Sequence, residues 1–200
     1  MQVEKRLEQD VQQIAIQAYR LFTQQPVAYI LAFLLTAVVS GVTCGVMSGP
    51  LTIGFLRMVR QHQQGQSIGA TGVFDWGGHL VPSLLATILL GIAVAVGSVL
   101  LVLPGLAVAF FSIFALHGMA YSGLDITQSF KNSLALVSNN LLFVFVIAVG
   151  LAVLNALGSA VLFGTLLTGP WGIIALSLTY QHLIVPEQMS ADNKHPPAAF

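Results

Sequence analysis

Long apolar stretches dominate the chain. Residues 27–47, 80–103, 106–120, 141–167 and 171–185 contain no Asp, Glu, Lys or Arg. The longer of them exceed the roughly 18–20 apolar residues that carry an α-helix across a bilayer core of about 30 Å. Ser48-Gly49-Pro50, Leu103-Pro104-Gly105 and Thr168-Gly169-Pro170 interrupt the pattern with residues that end one helix and open the next. Such links are too short for anything but tight connections between antiparallel helices. The pattern predicts an all-α fold, a polytopic membrane helical bundle with six transmembrane helices in three tandem hairpins at 26–64, 80–122 and 140–185. All belong to one membrane domain, 1–185, followed by a flexible C-terminal tail at 186–200. The returning helices at 50–64 and 170–185 are short, so whether 50–64 crosses fully stays open.

The stretch before each hairpin has a different rhythm. Val3, Leu7, Val11, Ile14, Ala18 and Leu21 recur at three- and four-residue steps, which predicts an amphipathic interfacial helix over 1–24. Ile126, Phe130, Leu134 and Val137 repeat that stripe after Asp125, a candidate N-cap with Gln128 three residues on. The shorter segment Val73-Phe74-Asp75-Trp76 precedes the second hairpin, with Trp76 placed as an aromatic belt residue.

Composition agrees with the class: 56% of residues are hydrophobic and only 7% charged, against about 25% charged in a soluble domain. The zero net charge gives no field for nucleic acid. The seven basic residues are Lys5, Arg6, Arg20, Arg57, Arg60, Lys131 and Lys194, and none lies in the three Gly/Pro links. The positive-inside rule then places both termini, the 65–79 loop and the 124–139 segment in the cytoplasm of a bacterial inner-membrane protein. Charges before the first apolar run argue against a cleaved signal, so the first span is expected to remain as an anchor. Cys44, the one cysteine, lies in an apolar run and is expected to be a buried thiol.

An internal repeat is visible. Gly49-Pro50-Leu51-Thr52-Ile53 aligns with Gly169-Pro170-Trp171-Gly172-Ile173, and the register continues through Leu56 with Leu176 and Gln61-His62 with Gln181-His182. The middle hairpin echoes it faintly, Leu51, Phe55 and His62 falling against Leu106, Phe110 and His117. Small residues at four-residue steps mark close helix packing in lipid. The first span offers Gly41, Gly45 and Gly49, and the fifth Ala156, Ala160 and Gly164. Their partner is either another helix of the same chain or a second copy. Asn155 and Ser159 lie beside that seam as intramembrane polar groups.

Candidate chemistry is sparse. There is no phosphate loop, HExxH or CxxC, and Gly41-Val42-Thr43-Cys44-Gly45 matches a nucleophile elbow only inside an expected helix. Arg57 falls about 10 Å along the 50–64 helix from Pro50. It either snorkels with Arg60 to the cytoplasmic headgroups or contacts a buried anion or lipid phosphate, with Asp75 and Asp125 as possible counter-ions. His62, His117 and His182 end the returning helices and read as boundary residues rather than a metal site. No acidic residue lies within a span, which argues against carboxylate-coupled transport. Ser112 or Ser98 with His117 is the pairing an intramembrane enzyme would need. No catalytic residue, metal or cofactor is therefore assigned.

Ser48-Gly49-Pro50-Leu51 with Gly54, Leu103-Pro104-Gly105, Asp125 before Ser129-Phe130 and Ser133, and Asn139-Asn140 form a layout that resembles uncharacterised six-span bacterial inner-membrane proteins of the YciC-like group. It is also similar to the membrane domain of some glycerophosphodiester phosphodiesterases. The resemblance covers nearly the whole chain and implies the fold but no catalytic residues. The expected role is a non-enzymatic accessory or scaffold component of an envelope or lipid-related assembly, partnered by the bilayer and by other membrane proteins or itself. The alternative is a small permease, channel or lipid-handling protein working between the repeats.

Overall fold

A computed structural model describes residues 2–100, 102–159 and 164–192, with side chains except at 2–6, 97–100, 102–104 and 185–192. It is all-helical, with no strand among the described residues. The elements are α1 (Gln2–Gln24), α2 (Pro26–Val42), α3 (Ser48–Gln63), a 3-10 turn (Ala70–Phe74), α4 (Leu80–Leu100), α5 (Val102–Phe111), α6 (Ala115–Ser122), α7 (Ile126–Asn139), α8 (Leu141–Ser159) and α9 (Gly164–Asp192). Among the described residues, Gly105–Ser122 and Leu141–Ser159 are long and apolar enough to cross a membrane. The α1–α2 pair, bent by 95°, makes a third span if counted as one. These helices mark the chain as a membrane protein.

The Gly/Pro links fall inside helix starts rather than at the turns. The α2–α3 reversal occupies 43–47, where Cys44 and Gly45 take positive φ of 50° and 83°. Ser48-Gly49-Pro50 then forms the first turn of α3, where the proline's missing N–H has no helical partner to lose. Leu103-Pro104-Gly105 likewise belongs to the first turns of α5, and Thr168-Gly169-Pro170 to α9, which has already begun at Gly164. The α8–α9 connection, 160–163, lies outside the described residues. Cys44, expected to be buried, is exposed on its turn. Helix α9 continues to Asp192, into the stretch expected as a tail, and 193–200 lie outside the described residues.

Helix α3 is the centre of the bundle. Gly49, Pro50, Leu51, Ile53, Gly54, Phe55, Leu56, Met58, Val59 and His62 are all buried, so almost every side of the helix faces protein. A helix so enclosed need not be apolar enough for lipid. Ile174, Ala175, Leu178, Tyr180 and Leu183 of α9 and Phe114, Ala115 and Met119 around α6 are buried as well. The outgoing helices face outward instead. Val27, Leu31, Leu34 and Val38 on α2, Val81, Leu85, Ile88 and Ile92 on α4, and Leu142, Phe145, Val149 and Val153 on α8 form exposed apolar stripes.

Glycines fix how closely helices approach. A Cβ on Gly49 would strike the Thr87 hydroxyl and crowd the Ser83 carbonyl of α4; one on Gly169 would strike the Phe33 ring of α2. On α8 the close approach is at Gly158, against Thr168 and Gly164 of α9. A Cβ on Gly54 would meet the Val73 carbonyl, because the 70–74 turn folds back onto α3 and buries Val73 completely. Of the segment expected at the interface, Val73 is thus part of the core while Phe74 and Asp75 are exposed.

The amphipathic stripes are covered by protein. Ile14 and Ala18 of α1 are buried, with Leu7, Val11, Leu21 and Phe22 packed against the same core, and α1 packs along α9. On α7 the buried face is Ser129, Ser133, Leu136 and Val137, while Leu134, expected on it, is exposed. Asp125 occupies the N-cap position with extended backbone but makes no side-chain cap bond. Ser133 fills a gap between α5 and α6: its hydroxyl donates to the Phe111 carbonyl (2.8 Å) and accepts from the Phe114 N–H (3.1 Å).

Candidate functional site

The polar groups gather where α3 and α6 end beside the middle of α9. Arg57, Arg60, Gln61 and Gln64 lie at three- and four-residue steps, so they share one face of α3. With Gln66 and Ala120 they line a cavity of about 320 Å³, at the small end of the roughly 300–1,000 Å³ of small-molecule sites.

Two local devices set the arginines. Asp75 Oδ2 lies 3.6 Å from Arg57 Nε, and Asp75 Oδ1 accepts the Gly77 N–H at 3.2 Å, closing a tight turn after the buried Val73. The Arg57 guanidinium rests on Gly77, where a Cβ would overlap it. The returning loop thus partly covers the Arg57 side chain, which stays one-third exposed. Arg60 donates from Nη1 to the Tyr121 carbonyl at 3.4 Å and sits 5.8 Å from the centre of the Tyr121 ring, a cation–π distance. It also lies in the last turn of α3, where a cation suits the helix dipole.

Tyr121 ties the three helices together. Its hydroxyl donates to the Leu56 carbonyl of α3 (3.0 Å) and meets Ser177 Oγ of α9 at 2.5 Å. With the phenol proton committed to the carbonyl, Ser177 is the donor to Tyr121. Gln181 Nε2 reaches both Ser177 Oγ (3.4 Å) and Gln63 Oε1 (3.2 Å). Tyr180 receives Asn132 Nδ2 at 3.4 Å and shares a bond with Ser122 Oγ at 3.0 Å. Neither Tyr121 nor Tyr180 carries a sequence signal beyond its aromatic ring; the network becomes visible only when the ends of α3 and α6 meet the middle of α9.

The three histidines part ways. His62 is buried and bonds Tyr29 OH through Nδ1 at 2.9 Å. His117 is buried against the Phe114 and Tyr180 rings beside the Ile113 backbone, and among the described residues neither ring nitrogen meets strict hydrogen-bond geometry with any partner, Ser112 included. His182 is half-exposed with Nε2 3.7 Å from Asp10 Oδ2. Among the described residues no three His, Cys, Asp or Glu side chains converge as a metal-holding group.

The remaining sequence candidates scatter. Gly49 makes its close contact with α4, whereas Gly41 and Gly45 have open space around them. Gly164 abuts Gly158; Ala156 is exposed, and Ala160 lies outside the described residues. Asn155 Oδ1 accepts from the Thr168 hydroxyl across the α8–α9 pair at 3.3 Å, while Ser159 bonds back within its own helix. A second, larger cavity of about 560 Å³ opens between α5 and α8, walled by apolar side chains including Leu106, Phe110, Phe145 and Val149. No family model, curated protein or solved structure matches this chain.

Proposed function

We propose that this is a six-span protein of a bacterial inner membrane, with both termini cytoplasmic, that serves a lipid-related or envelope assembly as a non-enzymatic accessory or scaffold component. The observation that carries the reading is the apolar girdle on α2, α4 and α8 around a bundle that buries Tyr29, His62, His117, Ser133, Ser177 and Tyr180. Exposed apolar surface on that scale marks a face that meets a membrane or another protein, and the length and apolarity of Gly105–Ser122 and Leu141–Ser159 favour the membrane. Three hairpins are supported by the pairing of α2 with α3, α4 with α5, and α8 with α9. The repeat is supported by Gly49 and its counterpart Gly169, each of which abuts an outgoing helix of a different hairpin. Membership of the YciC-like group belongs to the same reading.

Alkaline carbonate extraction tests the membrane assignment: the protein stays with the pellet, and release into the supernatant would end it. Gentle purification from native membranes tests the scaffold role, which requires a stable co-purifying membrane protein. A chain that emerges alone in that preparation removes the scaffold role. A second reading, a small lipid-handling protein or permease, is favoured by the polar cavity beside Arg57. Lipid-transfer and solute-flux rates in proteoliposomes separate the two, and an unchanged rate for Arg57→Ala would exclude this cavity as the path.

A further inference from the structure

The α3 cavity carries a particular chemistry. Two guanidinium groups and the Gln61 amide project from one face of α3, two more amides come from its C-cap Gln64 and the loop residue Gln66, and among the described residues no carboxylate lines the wall. Asp75 engages Arg57 through Nε, and Gly77 leaves the space its guanidinium occupies. Arg60 is held by the Tyr121 carbonyl and ring, neither of which neutralises its charge. Among the described residues, two positive groups facing one carboxylate leave an excess of positive charge at the cavity.

We infer that the cavity binds a phosphate group, carried either by an anionic phospholipid headgroup or by a free phosphate anion. Arg60 and Arg57 are the charged donors, and Gln61 and Gln64 the neutral ones. This rests on the membrane reading above, which puts the end of α3 at the cytoplasmic face. Guanidinium forks match phosphate oxygens in pairs, and a cavity of about 320 Å³ has room for a phosphate and its ester substituent. The site lies at a helix C-terminus, where the backbone repels anions. Binding therefore depends on the arginines, and that dependence separates it from the backbone anion sites common at helix N-termini.

The test uses the full-length protein in a zwitterionic detergent, titrated separately with short-chain phosphatidic acid, short-chain phosphatidylcholine and inorganic phosphate. Phosphatidic acid, inorganic phosphate or both bind, and Arg60→Gln and Arg57→Gln each weaken the interaction about tenfold or more, the scale of one lost charge-assisted bond. Lys131→Gln, a cation exposed on α7, leaves it within about twofold. Gly77→Ala, which displaces Arg57 without removing a charge, weakens it as well. Binding of phosphatidic acid alone identifies the headgroup; binding of inorganic phosphate identifies the free anion. The inference is overturned if neither binds, if phosphatidylcholine binds as tightly as phosphatidic acid, or if Lys131→Gln loses as much as Arg60→Gln. Arg60 is exposed, so its variant retains the fold. Carbonate extraction of the same variants scores the membrane reading independently.

Discussion

The absence of one methyl group sets the distance between α3 and the 70–74 turn. At Gly54 any side chain would enter the Val73 carbonyl, and that carbonyl belongs to the segment carrying Asp75 to Arg57. Gly54→Ala should therefore destabilise the protein by about 1–3 kcal/mol through overpacking. Gly91→Ala, in open space on α4, should be neutral or stabilising by up to about 1 kcal/mol from helix propensity. Thermal unfolding in detergent followed by circular dichroism compares them, and equal shifts would show that the 70–74 turn is not locked onto α3. Loss of phosphate binding in Gly54→Ala would follow from the same displacement. Sequence reasoning found Arg57, Arg60 and Asp75 because charges are scarce in this chain. It had no means of finding Gly77, whose role depends on what lies across from it.

At the scale of elements, periodicity revealed where helices exist but not what each face touches. The stripes of α1 and α7 have the spacing of interfacial helices, yet most of their apolar residues, Leu134 excepted, pack into the bundle, because the same pattern serves a lipid surface or a protein core. Gly-Pro pairs signalled helix starts, while the reversal before α3 was made by Cys44 and Gly45 through positive φ. The break between α5 and α6 was hidden within an unbroken apolar run. Its backbone groups are met by Ser133, an ordinary small residue until the α7 face is known. Ser133→Ala should leave the Phe114 N–H and Phe111 carbonyl without that partner and cost about 1–3 kcal/mol. Ser159→Ala, which removes only a bond within α8, should have little effect. Unfolding midpoints measured side by side decide it, and a Ser133→Ala midpoint no lower than that of Ser159→Ala would mean another group closes the gap.

Across the whole molecule, hydropathy marks the helices with exposed apolar stripes and understates the central one. Helix α3 carries Arg57, Arg60 and two glutamines toward its end, beyond a stretch that its neighbours bury on nearly every side. The distribution of polar groups is consequently uneven: a charged and amide-rich end at 57–66, and a small turn at 43–47 at the other end of α3. That second end holds Cys44, the one thiol in the chain, exposed on its turn. The native protein thus already contains a single-site chemical reporter of its own orientation. In intact spheroplasts a membrane-impermeant maleimide should label it, because the topology proposed above turns 43–47 toward the exterior. Labelling that appears only after the cells are opened would invert the protein and carry the arginine cavity to the outer face, where it would meet a different pool of phosphate.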